Sequence, residues 1–216
     1  MLKELYRHRF SEQDQREKKG IWQTLCRDFF QKYVKESDAV LEIGAGYCEF
    51  INNIKCREKY ALDLDEDVRA YANPDVKAFV SSSSSLSFLS ESSMDIVFMS
   101  NFLEHLKDKE EVLKTLTESF RVLKPQGVLM VLGPNIRYLS REYWDFFDHY
   151  IPLSDKSLAE ALQISGFKVE QNLPKFLPYT TKSRFPKNPL LVKLYLHMPF
   201  IWPVLGRQMF ILGRKP

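Results

Sequence analysis

The stretch Val40-Leu41-Glu42-Ile43-Gly44-Ala45-Gly46-Tyr47-Cys48 constrains this chain more than any other. A mostly apolar run of strand length enters two glycines spaced one residue apart. Glycine is needed where a chain turns sharply and where backbone must approach a ligand with no Cβ in the way. A strand that runs into such a loop, with a helix after it, opens an α/β ligand-binding sheet. Residues 49–54 are read as that helix.

Short apolar runs then alternate with helical periodicity. The runs fall at 39–43, 60–62, 78–80, 95–99, 128–132, 168–170 and 208–212; the helical patterns fall at 21–35, 49–54, 66–72, 109–123, 157–165 and 190–197. Such alternation predicts a mainly parallel sheet with helices on both faces, a Rossmann-like three-layer α/β sandwich. Ligands bind such sheets at the carboxyl ends of the strands. Lys124-Pro125-Gln126-Gly127 is expected to stop the long helix and turn into the next strand.

A chain of 216 residues fits one domain: a core at about 36–172, then a cap segment and last strand in 173–216. Residues 190–205 are very apolar, but Lys193, His197, Pro199 and Pro203 interrupt them, and they fall short of the roughly 20 needed to span a bilayer. They are expected to form a core helix and a loop; a cap over the site or a lipid-facing surface is the second reading.

Three cysteines (Cys26, Cys48, Cys56) match neither a disulfide framework nor a zinc pattern, and no apolar leader opens the chain. A reducing, cytoplasmic protein is expected. The net charge of +3 is uneven. From Lys168 onward nine basic residues face one acid, Glu170, so that segment is +8 and the remainder −5. A basic tail suggests an anionic partner, against the plainer reading of a solvated surface.

Charge also separates the cofactor candidates for the glycine loop. A dinucleotide site wants a third glycine three residues after Gly46, and Glu49 stands there. Glu42 and Glu49 would repel a pyrophosphate but suit a cofactor that carries an ammonium and a sulfonium. Asp63 ends the next strand, where a carboxylate can accept both hydroxyls of a ribose. Asp65 is better placed to cap the following helix, which leaves Asp63 no evident structural job.

At these residues the chain resembles the class I methyltransferases that use S-adenosylmethionine (SAM). Glu42-Ile43-Gly44-Ala45-Gly46 is similar to their first motif, and Ala61-Leu62-Asp63-Leu64-Asp65 to their ribose-binding motif. Met94–Phe98 with Asn101–Leu106 resembles their fourth-strand motif, and Phe120–Gly127 the turn of the small-molecule "type 11" subgroup. The resemblance runs from about residue 39 to 169. It implies a seven-stranded sheet with an antiparallel last strand at 208–212, and SAM as cofactor. It further implies that Glu42 holds the SAM amino group, that Gly44, Ala45 and Gly46 allow close approach, and that Asp63 with Leu64 meets the ribose. An adenine contact is implied within 81–85, with Ser82 and Ser83 as candidates; Ser100 and Asn101 complete the set. Cys48 departs from the motif by standing at its third glycine position.

Methyl transfer to a hydroxyl benefits from a general base, and histidine is best tuned near neutral pH. His105 follows the fourth strand. His149 lies in the aromatic and acidic segment Tyr143-Trp144-Asp145-Phe146-Phe147-Asp148-His149-Tyr150. Both are the catalytic candidates. A divalent metal on Glu104, His105 and His149 is a subordinate alternative, because Asn101 replaces a better carboxylate ligand; no metal ligand is assigned. The expected reaction is O- or N-methylation of a small-molecule or sugar acceptor, whose phosphate, where present, would meet the basic tail. Alternatives are an RNA or protein methyltransferase, to which Tyr179, Phe185 and Tyr195 would contribute, a non-catalytic SAM-binding subunit, and a dehydrogenase. Nucleic acid is disfavoured because the Asp/Asn-Pro-Pro-Tyr signature does not follow the fourth strand.

Overall fold

The computed structural model describes residues 12–179 and 188–216. Its centre is a seven-stranded sheet ordered β3-β2-β1-β4-β5-β7-β6. The strands are β1 (Ala39–Ile43), β2 (Glu58–Asp63), β3 (Val76–Val80), β4 (Met94–Ser100), β5 (Leu123–Pro134), β6 (Lys168–Leu177) and β7 (Gln208–Arg214). Strands β1 to β5 pair in parallel, and β7 lies antiparallel between β5 and β6. The expected seven strands and the antiparallel last strand are all present.

Alternation along each strand splits the core between the two faces of the sheet. Val40, Ile96, Phe98, Met130 and Leu132 point to one face. Leu41, Ile43, Val97, Met99, Leu129 and Val131 point to the other. Helix α1 (Glu12–Asp28) and the 3₁₀ turn Phe30–Tyr33 cover the first face through Leu25, Cys26, Phe29 and Phe30. A short α2 (Val68–Tyr71) follows β2; α3 (Lys109–Val122) and α4 (Asp155–Ile164) cover the second face through Val112, Leu116, Leu158 and Leu162. Helices α5 (Pro189–Leu196) and α6 (Trp202–Leu205) lie between β6 and β7 in the chain.

Four details differ from the sequence expectations. Residues 49–54 form successive turns, with Asn52 N–H bonded to Cys48 O and Asn53 N–H to Phe50 O, rather than a regular helix. Phe50, Ile51 and Ile54 are buried there, and bonds of helical span (Asn52 to Cys48, Ile54 to Phe50) mix with a tighter one (Asn53 to Phe50). Helix α1 begins well before residue 21 and breaks at Phe29, whose ring is wedged against Phe176 at 4.2 Å. Helix α3 passes directly into β5, and the left-handed residue of that junction is Gln126 (φ 66), not Gly127. Helix α5 is no core helix, since only Leu196 in it is buried. Among the described residues no helix is long and apolar enough to cross a membrane. Cys26, Cys48 and Cys56 are free thiols.

Candidate functional site

The glycine loop leaves β1 through three residues in the left-handed region: Gly44 (φ 67), Gly46 (φ 48) and Cys48 (φ 57). A Cβ on Gly44 would lie 2.3 Å from the Phe102 ring, so only glycine fits between β1 and the segment after β4. A Cβ on Gly46 would meet nothing within 4 Å; this backbone is open to a ligand. Cys48 adopts the glycine-like conformation at the third position. That costs a residue with a Cβ roughly 1–2 kcal/mol. Complete burial of its side chain offsets the cost. The loop geometry therefore survives the missing glycine.

Glu42 shares the face of Val40 on β1 and is 4% exposed. Its Oε2 accepts the Ile51 N–H at 3.0 Å. Burial pushes its carboxyl well above the ordinary carboxylate range, and the neighbouring Glu49 and Asp63 push it further. Glu49 is also raised by burial, with Lys18 opposing. Both acids stand in the wall of one cavity of about 460 Å³, together with Gly44, Ala45, Gly46, Ser100 and Asn101. A cation brought into that cavity would relieve one buried and one half-buried carboxyl, whereas a pyrophosphate would aggravate them. The donor set and the open Gly46 backbone fit SAM.

Asp63 and Leu64 sit at the end of β2, beside this cavity and outside its wall. Asp63 does have a structural role, contrary to expectation. Its Oδ2 accepts the Gly46 N–H at 2.8 Å and its Oδ1 the Asp65 N–H at 2.9 Å. Asp65 in turn accepts the Asp67 N–H at 3.0 Å, ahead of α2. The serines also differ from expectation. Ser83 is buried, its hydroxyl 2.8 Å from that of Thr115, and Ser82 pairs with Ser84 at 2.8 Å. Neither lines the cavity, because the turn after β3 packs Ser83 onto α3.

The histidines do converge. Glu104, His105, Phe146 and His149 line the same cavity as the glycine loop. The two imidazoles are 5.0 Å apart, and His149 packs against Phe146 and Tyr143. His105 Nδ1 lies 2.8 Å from the Asp148 carbonyl oxygen. A carbonyl only accepts, so Nδ1 carries the proton and Nε2 is left with its lone pair. The Asp148 carboxylate stands 3.4 Å from the same nitrogen. The turn holding His149 is fixed by Tyr150 N–H to Glu104 O at 2.8 Å and by the Tyr143 hydroxyl, which donates to Ile151 O. Ligand atoms of Glu104, His105 and His149 fall within 4.8 Å of one another, so the three could hold a divalent cation. Burial raises the Glu104 carboxyl, and the nearby His105 opposes that shift.

The sequence reading missed that α1 walls the cavity and gave the part of α5 only as a second reading. Lys18, Ile21, Trp22 and Leu25 of α1, and Leu191, Val192, Leu194 and Tyr195 of α5, line the cavity from above. Residues 190–205 thus contribute to the cavity wall instead of forming a core helix. The apolar spacing of Ile21, Trp22 and Leu25 was the available signal. Of the basic segment, Lys182, Arg184 and Lys187 lie outside the described residues, as does Phe185.

Residues 41–131 match the model of a family described as a methyltransferase domain. Over this span the chain carries a methyltransferase domain, and it is similar to SAM-dependent members. A protein of Mycolicibacterium smegmatis called a "Probable S-adenosylmethionine-dependent methyltransferase" is 32% identical over 145 residues, 63% of this chain and 54% of its own length. The chain thus spans about half of that relative. In fold, the domain is similar to a SAM-dependent methyltransferase of Archaeoglobus fulgidus (TM-score 0.68, 20% identity, 91% of this chain and 94% of the other). It is also similar to a possible histamine N-methyltransferase of Thermotoga maritima (TM-score 0.64, 19% identity, 91% and 89%). SAM is the cofactor named for these similar methyltransferases.

Proposed function

We propose that this chain transfers a methyl group from SAM to an oxygen or nitrogen of a small-molecule or glycan-type acceptor. One observation carries the proposal: Glu42 with the glycine loop and the His105–His149 pair wall the same cavity of about 460 Å³. That volume suits a cofactor and a small acceptor.

Bound SAM supplies an electrophilic methyl on sulfur, and the chain aligns it and excludes water. Glu42 receives the amino group of the cofactor, Gly44, Ala45 and Gly46 admit its backbone-hugging portion, and Ser100 and Asn101 close that side. Asp63 and Leu64 serve the ribose end. His105 Nε2 takes the proton of the acceptor, while Asp148 steadies the imidazolium that results. His149 orients the acceptor against Phe146. The apolar roof from α1 and α5 keeps water from the reacting atoms.

Acceptors of RNA size are less well supported. Much of the described basic segment is internally engaged. Arg214 pairs with Glu170 at 2.6 Å, and Lys215 Nζ donates to Phe120 O and Leu123 O. Lys175 donates to Pro203 O and Arg207 to Tyr138 O.

Methyl-labelled SAM and a broad panel of sugars, phenols and amines test the proposal. Label is expected on a hydroxyl or amine acceptor. Saturable SAM binding with no transfer across the panel would count against it.

A further inference from the structure

We propose that the cap formed by α5, the Pro199–Ile201 turn and α6 docks on an anionic lipid surface, and that the acceptor enters the cavity from that side. The cap exposes large apolar side chains that the fold leaves uncovered: Leu190 is 72% exposed, Leu194 55%, Phe200 71% and Val204 76%. Leu190 and Leu194 are four positions apart, as are Phe200 and Val204, and repeated exposure of large apolar side chains along one segment is what an interaction surface requires. Both helices are far too short to cross a bilayer, so the fitting geometry is a segment lying in the interface.

Charge selects the occupant. No aspartate or glutamate follows Glu170 in the chain, and exposed Lys193 sits between Leu190 and Leu194 on α5. Among the described residues, Asp28 of α1 faces Lys193 and His197, and Arg27 already pairs it at 2.7 Å. A second copy would bring the same exposed Lys193 against this one. An anionic lipid surface supplies the complementary sign.

The cavity wall grades into this outer face. Leu191 and Leu194 are each more than 40% exposed and also line the cavity. An acceptor carried on a lipid anchor could therefore pass from the bilayer to the histidines without crossing water. The entry route rests on the methyl-transfer reading; the docking does not.

Sedimentation of the full chain with phosphatidylcholine vesicles, with and without phosphatidylglycerol, tests the docking. Binding is expected with the anionic vesicles and to weaken as salt rises. The double variant Phe200→Glu/Val204→Glu, both sites outside the cavity wall, is expected to lose about tenfold or more of that binding. Lys193→Glu should lose about fivefold. Unchanged melting temperature and SAM affinity would show that the variants fold. No preference for anionic vesicles, undiminished binding by the variants, or a wild-type dimer that Phe200→Glu dissolves would each overturn the proposal. Loss of SAM binding in the wild type would strike the methyl-transfer reading instead.

Discussion

Asp63 Oδ2 accepts the N–H of Gly46 at 2.8 Å, so the carboxylate that ends β2 braces the loop that leaves β1. Its other oxygen holds the Asp65 N–H. Asp63→Asn keeps one acceptor oxygen and Asp63→Ala keeps none. Hydrogen bonds to a charged group are worth about 1.5–3 kcal/mol each, less at a site partly open to water. Asp63→Ala is expected to lower the melting temperature by a few degrees and to weaken SAM binding at least tenfold, with Asp63→Asn in between. Thermal melts and calorimetry check both.

Glu42 makes the apo protein pH-sensitive. Its carboxyl is raised by burial, so its contribution to stability is present at low pH and lost as pH climbs above the ordinary carboxylate range. Above the ordinary carboxylate range the wild-type melting temperature should fall with pH more steeply than that of Glu42→Gln. The substitution should also weaken SAM binding by roughly ten- to a hundredfold, because the amino group loses its charged partner. SAM binding by the wild type should release a proton, measurable by calorimetry in buffers of different ionisation enthalpy. A variant that binds SAM as tightly as wild type would remove Glu42 from the site.

Cys48 holds a left-handed conformation with a buried side chain. Replacing it by alanine keeps the conformational cost and loses the sulfur packing. Replacement by glycine loses the packing but relieves the backbone. Cys48→Gly is therefore expected to be more stable than Cys48→Ala by about 1 kcal/mol. Denaturant titration of the two variants decides it; alanine as the more stable variant would contradict the left-handed loop.

His105 donates from Nδ1 to the Asp148 carbonyl, and an asparagine amide can repeat that donation without offering a base. His105→Asn should lower kcat by about a hundredfold or more with a hydroxyl acceptor, while the Kd for SAM stays within about twofold. An amine acceptor delivered neutral should suffer less. Equal losses for both acceptors would make His105 a positioning residue only.

The fold was legible in the sequence because its signals are local. Apolar runs such as Ala39–Ile43 and the alternation that splits β4 between two faces need no knowledge of distant residues. Glu42, Gly44 and Gly46 were legible for the same reason: a strand, a turn and a charge lie within five consecutive residues. His105 and His149 were legible as candidates, though 44 positions apart in the chain.

Tertiary packing decided the rest. Only the folded chain sets the two imidazoles 5.0 Å apart, turns Ser83 onto Thr115 and ties Asp63 to Gly46, because each contact joins segments whose spacing is fixed by the sheet order. The roof was decided there too. An apolar helix pattern reads alike for a core helix and a cap, and the difference lies in what is left to cover it. The first face of the sheet is already filled by Leu25, Phe29 and Phe30 of α1 and the adjoining turn, so α5 lies across the cavity with most of its leucines exposed.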